Sequence, residues 1–251
     1  MNAPTTMPDN FQYAGERFAD IQILRYRLNG FDALSLNQKK YVYYLAKAAL
    51  CGRDITTDQF GRYNLRIRKM LECVYTEYAG NRQHGEFVAL ATYLKRVWFS
   101  NGIYHHYGCE KFQPEFSPDF LREALNTVDP VHLPLGEGET VEDLCQTLFP
   151  VIFDPLQLPK RVNKADGEDL VLTSACNYYE GVTQQEVEHY YSTLKDGQDQ
   201  APSYGLNSKL VKTVDGLQEL IWRVGGLYGE AISQIVYWLE KAREVAENPQ
   251  Q

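Results

Sequence analysis

Prolines divide this sequence into two parts with different hydrophobic patterns. Five of the eleven prolines, together with three glutamates around residues 136–142, fall between residues 129 and 160. Proline fixes φ and removes a backbone N–H, so this segment predicts a joint between two sub-regions. We expect a disordered leader over residues 1–12, a mainly helical region over 13–150 and an α+β region over 151–251, the last two forming one lobe.

Helix-start signals dominate the first part. Ser35 with Gln38 forms a capping-box pair, Ser117 precedes a proline at the first helical position, and Thr140 with Asp143 begins a short helix that should end by Phe149. Apolar residues spaced over 18–28, before Asn29-Gly30, predict another helix. Further helices are predicted over residues 64–78 and 85–97.

The hydrophobic period changes in the second part. Extended segments are predicted over residues 169–179 and 207–224, and Asp215-Gly216 splits the second one as a tight hairpin turn would. Thr183 with Glu186 predicts a capped helix between them. A last helix is predicted over 229–246, with an inward-facing apolar set of Ile232, Ile235, Val236 and Leu239. The predicted fold class is α+β, a mainly helical first part followed by a small mixed or antiparallel β region with packing helices.

Charge and hydropathy exclude several classes of partner. The net charge is −8 and no run of Lys or Arg exceeds two residues, which argues against nucleic acid because phosphate binding needs a dense cationic face. The basic residues within 62–69 are interpreted as a solvated helix face. No apolar run suffices for a membrane span, and residues 1–10 lack the features of an export signal. A cytoplasmic location is expected, or a periplasmic one if a signal peptide was removed.

Cysteines and histidines give little support for metal or thiol chemistry. The five widely spaced cysteines predict free, mostly buried thiols. His84-Gly85-Glu86 has the wrong order and spacing for a zinc helix, and the adjacent His105 and His106 should diverge from each other on a helix or a strand. We predict no metal ligand and no cofactor in this chain. A thiol enzyme built on Cys109 and these two histidines is kept as a minor alternative.

Two aromatic segments are candidate peptide-binding elements. Residues 98–112 (WFSNGIYHHYGCEKF) combine five aromatics with two histidines and an Asn-Gly turn. They predict either a core cluster or a substrate-facing loop. The same two interpretations hold for NYYEG at residues 177–181, where amide and aromatic groups follow an extended run. The candidate substrate-binding residues are Asn101, His105, His106, Tyr107, Asn177, Tyr178 and Tyr179.

Several long sequence blocks also carry a resemblance to a known family. They include VWFSNGIYHHYGCEKF, NYYEGVT, SYGLNSKLV and VGGLYGEAISQIVYWLEKAREVAENPQQ, and they span residues 16–31, 43–55, 97–112, 177–183, 203–211 and 224–251. In content and order these blocks resemble the amino-terminal part of a bacterial dipeptidyl peptidase III. The resemblance extends over almost the whole chain.

The resemblance implies a two-lobed zinc exopeptidase that removes dipeptides from peptide N-termini. In that family one lobe has a β-core that binds peptide by strand addition, and the other, largely helical lobe holds zinc. The family's metal motif His-Glu-x-x-x-His and its second motif Glu-Glu-Cys-Arg-Ala-Asp are not found in these 251 residues. We therefore expect a truncated, inactive, peptide-positioning lobe whose partners are oligopeptides and the zinc-binding lobe of the same polypeptide. The alternative is a stand-alone peptide-binding or interaction protein derived from that lobe.

Overall fold

The computed structural model describes residues 10–195 and 203–251. In these residues helices predominate, and two small β-sheets accompany them. The predicted α+β fold class is confirmed. Residues 1–9, which make up most of the predicted leader 1–12, lie outside the described residues.

The first elements are strands, so the helix predicted over residues 18–28 is wrong. β1 (Ala14–Phe18) and β2 (Ile21–Leu24) form an antiparallel hairpin in which Phe18 pairs with Ile21. The chain reverses at Ala19, whose φ of 46° is left-handed. Apolar residues three apart fit a helix as well as this strand–turn–strand arrangement, and an alanine gives no turn signal.

Six helices follow, and the predicted caps are found at their starts. Ser35 and Thr140 form capping boxes with Gln38 and Asp143, and the Ser117 side chain accepts a hydrogen bond from the backbone N–H of Phe120. The helices are α1 (Leu36–Cys51), α2 (Arg53–Phe60), α3 (Asn64–Glu77), α4 (Gly85–Ser100), α5 (Pro118–Leu125) and α6 (Val141–Phe153).

Helix α6 continues beyond Phe149, where we expected it to end. It passes through Pro150 and stops at Phe153. Val151 and Ile152 are buried in the core, so tertiary packing outweighs the local preference of proline for a helix end. The segment 129–160 thus contains a core helix as well as its prolines.

The main hydrophobic core lies among helices α3, α4, α5 and α6. Each of them buries an apolar stripe, and the chain between α4 and α5 adds Phe112 and Phe116 to the same cluster. The fully buried large side chains of this core are Ile67, Met70, Leu71, Leu90, Leu94, Ile103, Leu121, Leu125, Leu144, Leu148 and Ile152. This core positions the loops that follow α4 and α6.

The basic stretch within residues 62–69 is not the solvated face that we predicted. Arg68 is only 5% exposed, donates from Nη1 to the Thr57 hydroxyl at 3.0 Å and pairs with Asp54 of α2. A buried guanidinium requires such partners because its desolvation is costly. Arg68 therefore joins α2 to α3.

The segment 169–179 is mostly not extended, contrary to expectation. Asp169 caps a short helix, α7 (Leu170–Thr173), by accepting hydrogen bonds from the backbone N–H groups of Val171 and Leu172 at 2.9 Å. Its other oxygen accepts from the backbone of Gln184 at 2.9 Å, which ties α7 to α8 (Gln184–Thr193). Only β3 (Tyr179–Glu180) at the end of the segment is a strand.

The second sheet has three strands in the order β3-β4-β5. β4 (Ser208–Thr213) and β5 (Gly216–Ile221) form the predicted hairpin around Asp215-Gly216, and β3 pairs with β4 in parallel. Val182, Val187 and Leu210 form a small second core between this sheet and α8.

Helix α9 (Gly229–Glu244) packs antiparallel along α1. The Tyr44 and Trp238 rings stack 5.9 Å apart, and the Ser35 hydroxyl donates to Glu247 at 2.6 Å at one end of the pair. Val236 and Leu239, expected to face inward, are 40% and 45% exposed because α9 has a single helix as its main neighbour. Ala48 and Ala242 are the only buried residues of the two helices.

Within residues 10–195 and 203–251, no helix combines the length and apolar character that crossing a membrane requires.

The cap of α8 makes stability depend on pH in the acid range. A hydrogen bond from Lys212, followed by those from the Thr183 backbone and hydroxyl, lowers the pKa of Glu186 from 4.5 to about 2. The stabilisation by the carboxylate is complete above the unfolded-state pKa and disappears as the pH falls through about 2. We expect wild type to be more stable than Glu186→Gln at pH 6, with the difference shrinking between pH 4.5 and 2.

Urea midpoints of both proteins, measured from pH 6 to pH 2, check this expectation. Other carboxyl groups titrate in both proteins, so their effects cancel in the difference. A difference that stays constant down to pH 2 would contradict it.

Candidate functional site

Asn101 caps the C-terminus of α4. It adopts a left-handed conformation with φ 54°, and its carbonyl lies 3.5 Å from the side-chain nitrogen of the buried Asn64. The Asn64 side-chain oxygen accepts a hydrogen bond from the backbone N–H of Ile103 at 3.3 Å. Asn101 therefore has a structural role in directing the chain into the following loop.

The loop of residues 104–111 carries the next three candidates at its tip. Tyr104 and Lys111 are bridged across its base, and the backbone N–H of His105 donates to the carbonyl of Glu110 at 2.7 Å. Cys109, at φ 67°, closes the turn by donating its N–H to the carbonyl of His105 at 3.0 Å. Tyr107 is 86% exposed.

The two imidazoles stack, although we predicted that they diverge. Their ring centroids are 4.5 Å apart with an interplanar angle of 26°. The segment is a turn and not a helix or strand, so the regular divergence of neighbouring side chains does not apply. Burial, and to a lesser degree the neighbouring His105, lowers the pKa of His106. The neutral form of His106 is thereby favoured.

The nitrogen atoms of these histidines are not arranged for acid–base work on a thiol. His105 Nδ1 accepts hydrogen bonds from the backbone N–H groups of Tyr107 and Gly108 at 3.2 and 3.0 Å. The Cys109 thiol lies 3.4 Å from Arg161 Nη2, and among the described residues no hydrogen bond joins it to either imidazole. The geometry lacks the nucleophile–base contact of a thiol enzyme.

The cysteines are free, as predicted, but most of them are not fully buried. Only Cys145 is buried, and Cys51, Cys73, Cys109 and Cys176 are half-buried.

Asn177 and Tyr178 lie in a polar and aromatic cluster that links α2 to the start of α9. Asp58 Oδ2 accepts hydrogen bonds from Asn177 Nδ2 at 2.9 Å and from the Tyr228 hydroxyl at 2.6 Å. Burial, and then the hydrogen bond to Asp58, raises the pKa of Tyr228, so this phenol stays protonated. The Tyr178 ring is 6.0 Å from that of Trp222. Asn177 is buried, and its hydrogen bond to Asp58 gives it a structural role.

Residues 159–161 separate the two groups of candidates. The backbone N–H of Arg161 donates to the carbonyl of Cys109 at 2.9 Å, and the Arg161 carbonyl accepts from the N–H of Cys176 at 3.1 Å. The guanidinium of Arg161 lies 4.4 Å from the ring centroid of Phe60. Within the described part of the chain, no hydrogen bond or ring contact joins the 104–111 loop to residues 177–179. The predicted residues therefore form two neighbouring groups and not one pocket.

The outer edge of β5 is a further candidate binding element, which the residues predicted from the sequence do not include. In the antiparallel ladder with β4, the N–H of Trp222 donates to the carbonyl of Asn207 at 2.9 Å, so alternate residues of β5 face β4. Leu217, Glu219 and Ile221 consequently direct their backbone groups away from β4. Among the described residues only the Ile221 carbonyl has a backbone partner there, the N–H of Leu227 at 3.0 Å.

A cleft of about 300 Å3 lies beside the end of this edge. It is lined by Glu219, Ile221, Arg223 and Leu227 with their neighbours. The Glu219 carboxylate accepts hydrogen bonds from the Ser208 hydroxyl at 2.5 Å and from a tyrosine hydroxyl of α8 at 2.9 Å. These bonds fix β5 in place before any ligand binds. The sequence signals for this element were the extended segment predicted over residues 207–224 and the Asp-Gly turn within it.

Neither metal-ligand geometry nor comparison with known proteins assigns a function to these residues. Among the residues that the structure describes, no group of three or more His, Cys, Asp or Glu is placed to hold a metal ion. No protein-family model matches the chain. No curated protein matches it either.

Proposed function

We propose that this chain is a peptide-positioning lobe of a dipeptidyl peptidase III-like zinc exopeptidase. The outer edge of β5 is the observation that carries the peptide-binding part of this proposal. The zinc-exopeptidase part rests on the sequence blocks that resemble that family. The proposed location is the cytoplasm, and the proposed partners are oligopeptides and the zinc-binding lobe.

Strand addition to β5 would use groups that already point outward. The N–H and C=O groups of Leu217 and Glu219, together with the N–H of Ile221, offer hydrogen bonds to an extended peptide. Main-chain pairing is independent of most side chains, so it suits an enzyme that accepts many sequences. The hydrogen bonds that hold Glu219 reduce the entropy that this strand would lose on binding.

The exposed face of the α1–α9 pair supports a second lobe as partner. Large apolar side chains of both helices are 37% to 67% exposed, namely Leu36, Val42, Tyr43, Leu45, Leu50, Val236, Tyr237 and Leu239. Exposed apolar side chains grouped on one helix pair can form an interaction site. A neighbouring lobe that covers this face would bury it.

In the proposed reaction this lobe positions the peptide substrate. A peptide held along β5 keeps its scissile bond in one place relative to the partner lobe, and such orientation lowers the effective barrier substantially. No residue of this chain is assigned to bond cleavage. We expect the chain alone to release no arylamine from a dipeptidyl arylamide, with or without added zinc.

Replacing Leu217 with proline tests the binding edge. Proline removes one outward N–H but leaves the ladder with β4, because an edge strand tolerates proline where its N–H faces solvent. We expect the affinity for a fluorescein-labelled hexapeptide Ala-Thr-Val-Thr-Val-Lys to fall about fivefold or more, as loss of a backbone hydrogen bond implies. Fluorescence anisotropy measures the dissociation constants.

Leu217→Val is the matched control, because it retains the N–H and should bind as wild type does. Circular dichroism of the proline variant verifies that its fold is retained. Equal binding of the peptide by the proline variant and wild type would refute the β5 edge as the site. Arylamine release by the unmodified chain would refute the assignment as a non-catalytic lobe.

A further inference from the structure

A cationic cavity lies beside the 104–111 loop. It has a volume of about 550 Å3, and its lining includes Lys160, Arg161 and Lys164 together with Cys109. Among the described residues, no carboxylate lies within 4 Å of any of these three cations. Three cations that lack a carboxylate partner around one cavity of an acidic protein favour an anionic ligand.

A second, apolar cavity adjoins the first. It has a volume of about 280 Å3, enough for one medium-sized apolar side chain, and its walls come from α7, α8 and β3. Its lining includes Leu170, Val171, Val187 and Tyr179. Val162 lines both cavities, so an apolar group in one lies next to an anionic group in the other.

Charged side chains around the apolar cavity determine the orientation of a bound ligand. Glu188 of α8 lines this cavity and accepts a hydrogen bond from Gln184 Nε2 at 2.8 Å. Its carboxylate repels an anion from the α8 side, whereas Lys160 and Lys164 attract one beyond Val162. The anionic end of a ligand is thus directed towards the lysines.

The backbone of β3 favours a peptide group over a simple hydrocarbon chain. The N–H of Leu210 donates to the carbonyl of Tyr178 at 3.0 Å, so the N–H and C=O of Tyr179 face away from β4. Neither group has a backbone partner among the described residues. Tyr179 lines the apolar cavity, and its outward N–H and C=O are available to an amide of a ligand bound there.

We propose that these adjoining cavities bind the carboxyl end of a peptide whose last residue is apolar. The side chain occupies the cavity between α7 and α8, the terminal carboxylate pairs with Lys160 and Lys164, and the last amide bonds the backbone of Tyr179. This site is separate from the β5 edge and does not depend on the function proposed above.

N-acetyl-leucine tests this site, because it carries the apolar side chain, the amide and the carboxylate. We expect it to perturb the NMR signals of residues around Val162, and N-acetyl-leucinamide to bind about tenfold more weakly or worse because it lacks the charge. The double variant Lys160→Gln/Lys164→Gln should bind N-acetyl-leucine more weakly than wild type by a similar factor. Lys40→Gln, at an exposed position of α1, is the matched control and should bind as wild type does.

Three results would overturn the proposal. Equal affinities for N-acetyl-leucine and N-acetyl-leucinamide would show that Lys160 and Lys164 do not bind the terminal carboxylate. Tighter binding of octanoate than of N-acetyl-leucine would identify a fatty-acid site instead of a peptide-end site. Absence of any perturbation by N-acetyl-leucine in the unmodified chain would show that the cavities bind no such ligand.

Discussion

Replacing Lys111 with methionine is expected to lower the free energy of unfolding by about 3 kcal/mol or more. Lys111 is 7% exposed, and its ammonium donates to the carbonyls of Val151, Asp154 and Gln157 at 2.9, 2.5 and 2.6 Å. These carbonyls lie at and after the end of α6, where no helical N–H reaches them. Methionine fills the volume but leaves the carbonyls of Val151 and Gln157 without a donor among the described residues, whereas the Asp154 carbonyl keeps the N–H of Gln157 at 3.3 Å.

Urea denaturation of wild type and variant measures this loss. Lys160→Met is the matched control, because Lys160 is exposed and unpaired among the described residues, and its effect should stay within about 0.5 kcal/mol. Lys111→Arg retains a cation and should be less destabilising than methionine. A methionine variant as stable as wild type would show that the carbonyls find other partners.

Replacing Gly102 with alanine is expected to cost about 3 kcal/mol of stability. Gly102 has φ 145°, and a Cβ atom built there would lie 2.0 Å from the side-chain nitrogen of Asn64. Asn64 is 1% exposed and cannot move aside without giving up the backbone N–H of Ile103. The substitution therefore combines backbone strain with the loss of a buried hydrogen bond.

Gly85→Ala provides the control for this second substitution. Gly85 lies at the start of α4, and a Cβ atom there would meet nothing within 4 Å, so its effect should stay within about 0.5 kcal/mol. Thermal unfolding of both variants compares them directly. Equal melting temperatures for the two alanine variants would refute the role assigned to Asn64.

Local signals predicted the elements whose ends are determined by neighbouring residues. The capping boxes at Ser35 and Thr183 and the Asp215-Gly216 turn were all confirmed, because side chain and backbone interact there within four residues. Residues 18–28 were assigned wrongly because their apolar spacing fits two structures equally well. Asp169 was not predicted as a cap, although its side chain accepts hydrogen bonds from backbone N–H groups at the start of α7.

The candidate site was less predictable because its residues meet only through the fold. Nothing near Arg161 in the sequence indicates that it separates Cys109 from Cys176, and nothing near Lys111 indicates three carbonyl partners from α6 and the turn after it. The outward direction of Leu217 and Glu219 depends on which side of β5 pairs with β4. Such facts follow from tertiary contacts that a sequence pattern does not contain.

The packing of α9 on α1 also affects how the protein is made. α1 leaves the ribosome before the entire helical core and both strands of the β4–β5 hairpin, whereas α9 follows all of them. At ordinary translation rates, α1 is synthesised roughly ten to forty seconds before its partner helix. During that interval its apolar side chains are uncovered, and nascent chains of this protein should be clients of chaperones that bind exposed apolar helices.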